Sequence, residues 1–142
     1  MPHLFVAIAL SLLIPGAAAA QRDATRDDFL GLTLCEAGKA VTNLRPDVRD
    51  SMLVAEIEAH ESVHRAQAAE HESCDAFLAT LTSARRIIDA ELPAYCAQWK
   101  VAVARGADSA ITRREFAWRI AAQSGAMENR LQIAQRFEEE CR

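Results

Sequence analysis

Several features that would assign a protein to a class are missing from this sequence of 142 residues. No stretch alternates apolar and polar residues as a half-buried strand does, and there is no internal repeat. No apolar run after residue 20 is long enough to cross a bilayer. No two cysteines have the CxxC spacing of a thiolate metal site. The net charge is −4, and such a mildly acidic chain with mixed charges argues against nucleic acid as a partner.

The first twenty residues have the pattern of a secretory signal peptide. An apolar run over Leu4–Ile14 is followed by Pro15, Gly16 and four alanines, which matches an apolar region and a small-residue cleavage site before Gln21. We therefore expect a soluble protein in the periplasm or outside the cell, with no membrane contact after cleavage. Residues 21–142 are expected to form a single domain.

Helical periodicity dominates that domain, and it predicts an all-α fold: a small bundle of three main helices after a short N-terminal segment. The short segment, residues 29–41, is predicted as a helix broken by Gly31 and Gly38. The main helices are predicted over 46–71, from a start between 75 and 82 to about 105, and over 110–141.

The four cysteines predict two disulfides, because an even number of cysteines in an exported chain is typical of a disulfide framework. If the last two helices form a simple hairpin, Cys74 and Cys141 lie at the same end of the bundle. Cys74 and Cys96 lie ~33 Å apart on a continuous helix, too far for a bridge. We therefore favour Cys74–Cys141 with Cys35–Cys96, and keep Cys35–Cys74 with Cys96–Cys141 as the alternative.

The most informative stretch is His60-Glu61-Ser62-Val63-His64. On a helix, residues four apart lie one above the other on the same face, so these two imidazoles can bind one metal ion. Leu53 and Ile57 continue the same face toward the N-terminus, which indicates that both histidines point into the core. The competing interpretation is two core histidines that hydrogen-bond to their neighbours.

This His-Glu-x-x-His pattern resembles the zinc-binding helix of the zincin metallopeptidases, over residues 57–67 only. The resemblance implies that His60 and His64 bind Zn²⁺ and that Glu61 is the general base that accepts a proton from the attacking water. It implies a hydrolase, with a peptide or protein as substrate.

A catalytic zinc site usually has a third protein ligand, and Glu91 is the strongest candidate. It is the acidic residue on the apolar face of the second main helix, and Tyr95 follows it on the same face. The segment 91–95 resembles the Glu-x-x-x-Tyr ligand turn of the glutamate-ligand zincins, and it predicts the set His60, His64 and Glu91. Alternatively, Glu91 pairs with a buried arginine, Arg119 or Arg130, and the third ligand is His71, Glu70 or Glu128.

Other residues near the motif have two interpretations each. Tyr95 could donate a hydrogen bond to a developing oxyanion in catalysis, or it could be a core residue with its hydroxyl at the edge. Glu56 and Gln67, one turn either side of the histidines, could orient the imidazoles or could be solvated.

Three functions are compatible with the sequence. The first is an exported zinc-dependent hydrolase of the peptidase class, although no strand is predicted that could align a substrate. The second is a non-catalytic protein that binds or is stabilised by a metal. The third is a disulfide-stapled interaction module in which the motif is incidental.

Overall fold

The computed structural model describes residues 30–142, so the predicted signal peptide lies outside the described residues. This part of the chain contains a β-hairpin followed by five α-helices. Strands β1 (Gly31–Glu36) and β2 (Lys39–Leu44) precede α1 (Ser51–Ala69), α2 (Cys74–Leu78), α3 (Ala84–Ala104), α4 (Ser109–Gln123) and α5 (Arg130–Glu140). A single 3₁₀ turn, Met127–Asn129, precedes α5. None of these helices is long and apolar enough to cross a membrane.

The hairpin corrects the prediction of a helix over 29–41. The prediction of an all-α fold is confirmed in part, because the described chain is mostly helical but also contains this two-stranded sheet. β1 and β2 pair antiparallel, with Glu36 opposite Lys39. Ala37 and Gly38 between them have φ angles of 50° and 78°, the left-handed pair that a two-residue hairpin turn requires. Gly38, which was interpreted as a helix breaker, is therefore the turn residue of a hairpin.

Helix α1 begins later than predicted because Asp50, not Pro46, determines its start. The Asp50 carboxylate accepts hydrogen bonds from the backbone N–H groups of Met52 and Leu53, the arrangement of an N-cap worth about 1 kcal/mol. Ser83 caps α3 in the same way through the N–H of Arg86. The region between α1 and α3, predicted as a turn, includes the short helix α2.

The predicted last helix over 110–141 is two helices. Gly125 follows α4 with φ +69°, a left-handed conformation that glycine adopts without strain and that ends a helix. After the 3₁₀ turn, α5 packs against α4 and α3. The buried cluster that these three helices form includes Leu92, Phe116, Ile120, Ile133 and Phe137.

The disulfides follow the alternative pairing: Cys35 bonds to Cys74, and Cys96 bonds to Cys141. The favoured pairing was wrong because it assumed an unbroken last helix that carried Cys141 to the level of Cys74. The break at Gly125 instead brings Cys141 beside the middle of α3, where Cys96 lies. Cys35, carried by β1, meets the first residue of α2.

A candidate metal centre between two helices

The centre forms where α1 packs against α3. His60 and His64 lie one helical turn apart on the buried face of α1, with 2% and 1% of their surfaces exposed. Their Nε2 atoms are 3.1 Å apart, and the ring planes are inclined by 70°. The two rings therefore present the same nitrogen to one point in the interior.

Glu91 of α3 completes the group. One oxygen of its carboxylate is 3.5 Å from His60 Nε2, and the other is 3.6 Å from His64 Nε2. Donors bound to one tetrahedral Zn²⁺ at its usual bond lengths lie about 3.3–3.4 Å apart, so the spacing of the three side chains fits one ion. This buried His60–His64–Glu91 group could hold a metal ion.

Gln67 determines which nitrogen of His64 points into the centre. Its amide nitrogen donates to the carbonyl of Ala90 at 2.9 Å, so its oxygen accepts from His64 Nδ1, also at 2.9 Å. With the proton on Nδ1, neutral His64 directs the lone pair of Nε2 toward Glu91. Metal-binding histidines are commonly oriented by such a bond on the distal nitrogen.

The charges in the centre favour a cation. Burial by itself raises the pKa of Glu91, but the imidazoles of His60 and His64 that face its two oxygens outweigh burial, and the net result is a lowered pKa. Burial lowers the pKa of His64, whereas the close approach and charge of the Glu91 carboxylate raise it to about 9. Oε2 of Glu91 is buried without a hydrogen-bond donor among the described residues. A carboxylate facing imidazole lone pairs requires either a proton or a metal ion between them.

Glu61 lies beside this group and is held by a residue that the sequence did not indicate. The hydroxyl of Thr33 on β1 donates to Oε2 of Glu61 at 2.6 Å, and each residue is 2% exposed. Thr33 was missed because its segment was predicted as a helix. The period-two spacing of Gly31, Thr33 and Cys35 was the sequence pattern that could have revealed it.

Tyr95 contacts the centre through its ring. The ring lies edge-on to His60, with centroids 4.5 Å apart and planes inclined by 80°. Its hydroxyl accepts a hydrogen bond from the amide of Gln123 at 3.0 Å, and burial raises its pKa, so the phenol stays protonated. Tyr95 is 4% exposed, as expected for the core interpretation.

The other candidate ligands lie outside the group. His71 packs against Phe77, and Glu70 and Glu128 are exposed. Arg119 contacts the ring of Phe116. Thus, among the described residues, the ion-pair partners of Glu91 are the two histidines and not an arginine.

Comparison with known proteins adds no relative. The chain matches no protein-family model, no curated protein and no solved structure. The function of the protein is therefore inferred from the geometry of the centre itself.

Proposed function

We propose that this protein is an exported zinc-dependent hydrolase, specifically a peptidase, with Zn²⁺ held by His60, His64 and Glu91. Two histidines and a glutamate form the ligand set of one class of catalytic zinc sites, which keep the fourth position for water or substrate. Within residues 30–142, no fourth histidine, cysteine or acidic side chain joins the group. A structural zinc site would be expected to have four protein ligands.

The observation that carries the proposal is the position of Glu61. Glu61 follows His60 on α1 and is 2% exposed, its charge acts on His64, and Thr33 holds one of its oxygens. A bound Zn²⁺ would supply Lewis-acid activation of a water and of the substrate carbonyl. Glu61 would accept the proton of the attacking water and pass it to the leaving amine.

The hairpin supports a peptide as the substrate. The hairpin supplies a strand that was not predicted from the sequence. β1 lies against α1, and among the described residues the sheet has only two strands, so each strand has one edge without a neighbouring strand. An extended peptide could pair with an open strand edge.

The disulfides Cys35–Cys74 and Cys96–Cys141 are consistent with an oxidising compartment, which is the basis for proposing the periplasm or the extracellular space.

The second candidate function is a metal-stabilised protein without catalysis. Burial favours it, because His60, Glu61, His64 and Glu91 are each 1–2% exposed. Hydrolysis requires that a substrate carbonyl reach this point, so the first proposal needs an opening motion that the second does not.

Metal analysis and one substitution separate these functions. Protein purified without an affinity tag should contain one zinc per chain, and wild type should hydrolyse an unfolded protein substrate. Glu61→Gln should keep the zinc and lose at least a hundredfold in rate, the usual range for removal of a general base. Glu58→Gln, which removes a half-exposed carboxylate on α1 that pairs with Arg65, is the control and should keep both.

The remaining outcomes each favour another function. Stoichiometric zinc without hydrolysis by wild type would leave the metal-stabilised protein. A chain without affinity for zinc would contradict both the hydrolase and the metal-stabilised protein, and would favour the disulfide-stapled interaction module.

A further inference from the structure

Strand β1 contacts α1 at two points, and the distance between these points is similar on the strand and on the helix. Gly31 and Thr33 lie on the same face of the strand, ~6.6–6.8 Å apart. Ile57 and Glu61 lie one turn apart on the same face of the helix, ~6 Å along its axis. Gly31 packs on Ile57, so closely that an added Cβ would be 2.3 Å from Cγ2 of Ile57. Thr33 bonds to Glu61.

The next residue on the same face of β1 is also fixed. Cys35 is bonded to Cys74 at the start of α2. Three successive positions on one face of the strand therefore hold it to the helices by close packing, by a hydrogen bond and by a covalent bond. Thr33 therefore lies between the close contact of Gly31 with Ile57 and the Cys35–Cys74 disulfide.

We propose that Thr33 is a positioning residue that sets the orientation of the Glu61 carboxylate in the centre. This inference rests on the proposed hydrolase function. A glutamate carboxylate rotates freely about its last bond unless a hydrogen bond fixes it. The donor on Oε2 removes that freedom, and therefore also fixes the direction of the second oxygen. A displacement of about 1 Å in such a group can reduce a rate a hundredfold.

Thr33 does not bind the proposed ion, which separates its role from that of a ligand. Its hydroxyl donates to Glu61, and a neutral hydroxyl is not among the nitrogen, sulfur and carboxylate donors that usually bind Zn²⁺. Loss of the hydroxyl should consequently leave the zinc content at one per chain while the rate falls. A loss of fold would instead lower zinc content, rate and stability together.

The hairpin offers a matched control. Thr42 on β2 is the residue directly opposite Thr33, and its hydroxyl accepts a hydrogen bond from Arg65. Thr42→Val thus removes a threonine hydroxyl bond from the same hairpin without touching Glu61.

The test compares Thr33→Val, Thr33→Ser and Thr42→Val as zinc-loaded proteins. For Thr33→Val we expect kcat to fall ten- to a hundredfold with KM changed less than about threefold, since orientation and not binding is lost. Thr33→Ser should recover most of kcat, and Thr42→Val should match wild type. Crystal structures of the zinc-loaded variants supply a readout besides activity: the Glu61 carboxylate should turn away in Thr33→Val and keep its place in Thr33→Ser.

Several outcomes would overturn the inference. An unchanged Glu61 carboxylate in Thr33→Val would do so whether or not the protein is an enzyme. So would a fall of the same size in Thr42→Val, which would indicate general damage to the hairpin. Absence of hydrolysis in wild type would overturn the proposed function instead, and the crystal structures would still decide the positioning role.

Discussion

The amide of Gln67 accepts from Nδ1 of His64 and donates to the carbonyl of Ala90, the residue before Glu91. One side chain thus sets the orientation of an imidazole on α1 and binds the backbone of α3 beside the carboxylate.

Gln67→Leu should keep the side-chain volume but lose both hydrogen bonds, and we expect zinc affinity to fall ten- to a hundredfold, as for other partners of metal-bound histidines. Competition with a chromophoric chelator measures this change. Gln135→Leu, on the exposed face of α5, should retain wild-type affinity; equal affinity in both variants would contradict the role of Gln67.

Removal of the Glu91 charge should have a larger effect than removal of another carboxylate on α3. For Glu91→Gln we expect at least a tenfold loss of zinc affinity, because a neutral amide is a poor ligand for Zn²⁺. Asp89→Asn is the control: Asp89 is half exposed and pairs with Arg85 and Arg136, and exposed pairs contribute little. Isothermal titration of metal-free protein with Zn²⁺ checks both. Unchanged affinity in Glu91→Gln would remove Glu91 from the ligand set.

Zinc binding should release a proton. In metal-free protein, Glu91 raises the pKa of His64 to about 9 against the effect of burial, so His64 is protonated at pH 7 and must lose that proton to bind metal. Apparent zinc affinity should therefore rise about tenfold per pH unit from pH 7 toward 9, and then level off. Calorimetry in buffers with different ionisation enthalpies counts the protons. An affinity that is independent of pH over this interval would contradict the expectation.

Each disulfide should contribute substantially to stability. Cys35–Cys74 and Cys96–Cys141 close segments with sequence separations of 39 and 45, for which the chain-entropy relation gives about 4 kcal/mol each. Replacing either pair by serines should lower the free energy of unfolding by roughly 2–5 kcal/mol in urea titrations. Peptide mapping of unreduced protein tests the pairing itself. A peptide that joins Cys74 to Cys141 would contradict it.

Gly31 should not tolerate a side chain while Ile57 is present. The methyl group of Gly31→Ala would lie 2.3 Å from Cγ2 of Ile57, and we expect a loss of roughly 1–3 kcal/mol from overpacking. Ile57→Ala removes that methyl group, so the double variant should be more stable than the sum of the single effects predicts. Thermal unfolding of the four proteins in this cycle measures the coupling. Additive effects would show that β1 and α1 are not in close contact.

The predicted helices differ from the observed ones where a capping side chain or a glycine with positive φ determines the helix boundary. The apolar spacing located α1 and α3, but the boundary of α1 depends on the Asp50 side chain. The last helix was predicted to run through Gly125, because the positive φ of this glycine is not visible in an apolar pattern. For the same reason Ala37 and Gly38 were placed in a helix, although they form the turn of a hairpin.

By itself, the sequence determined that His60, His64 and Glu91 lie on inward faces of neighbouring helices, because helical periodicity is local and can be counted along the chain. The tertiary structure decided their convergence on one point, the pairing of the cysteines and the contact of Thr33 with Glu61. Each of these depends on how separate elements pack, and a hydroxyl 28 positions away from a carboxylate leaves no periodic trace in the residues between them.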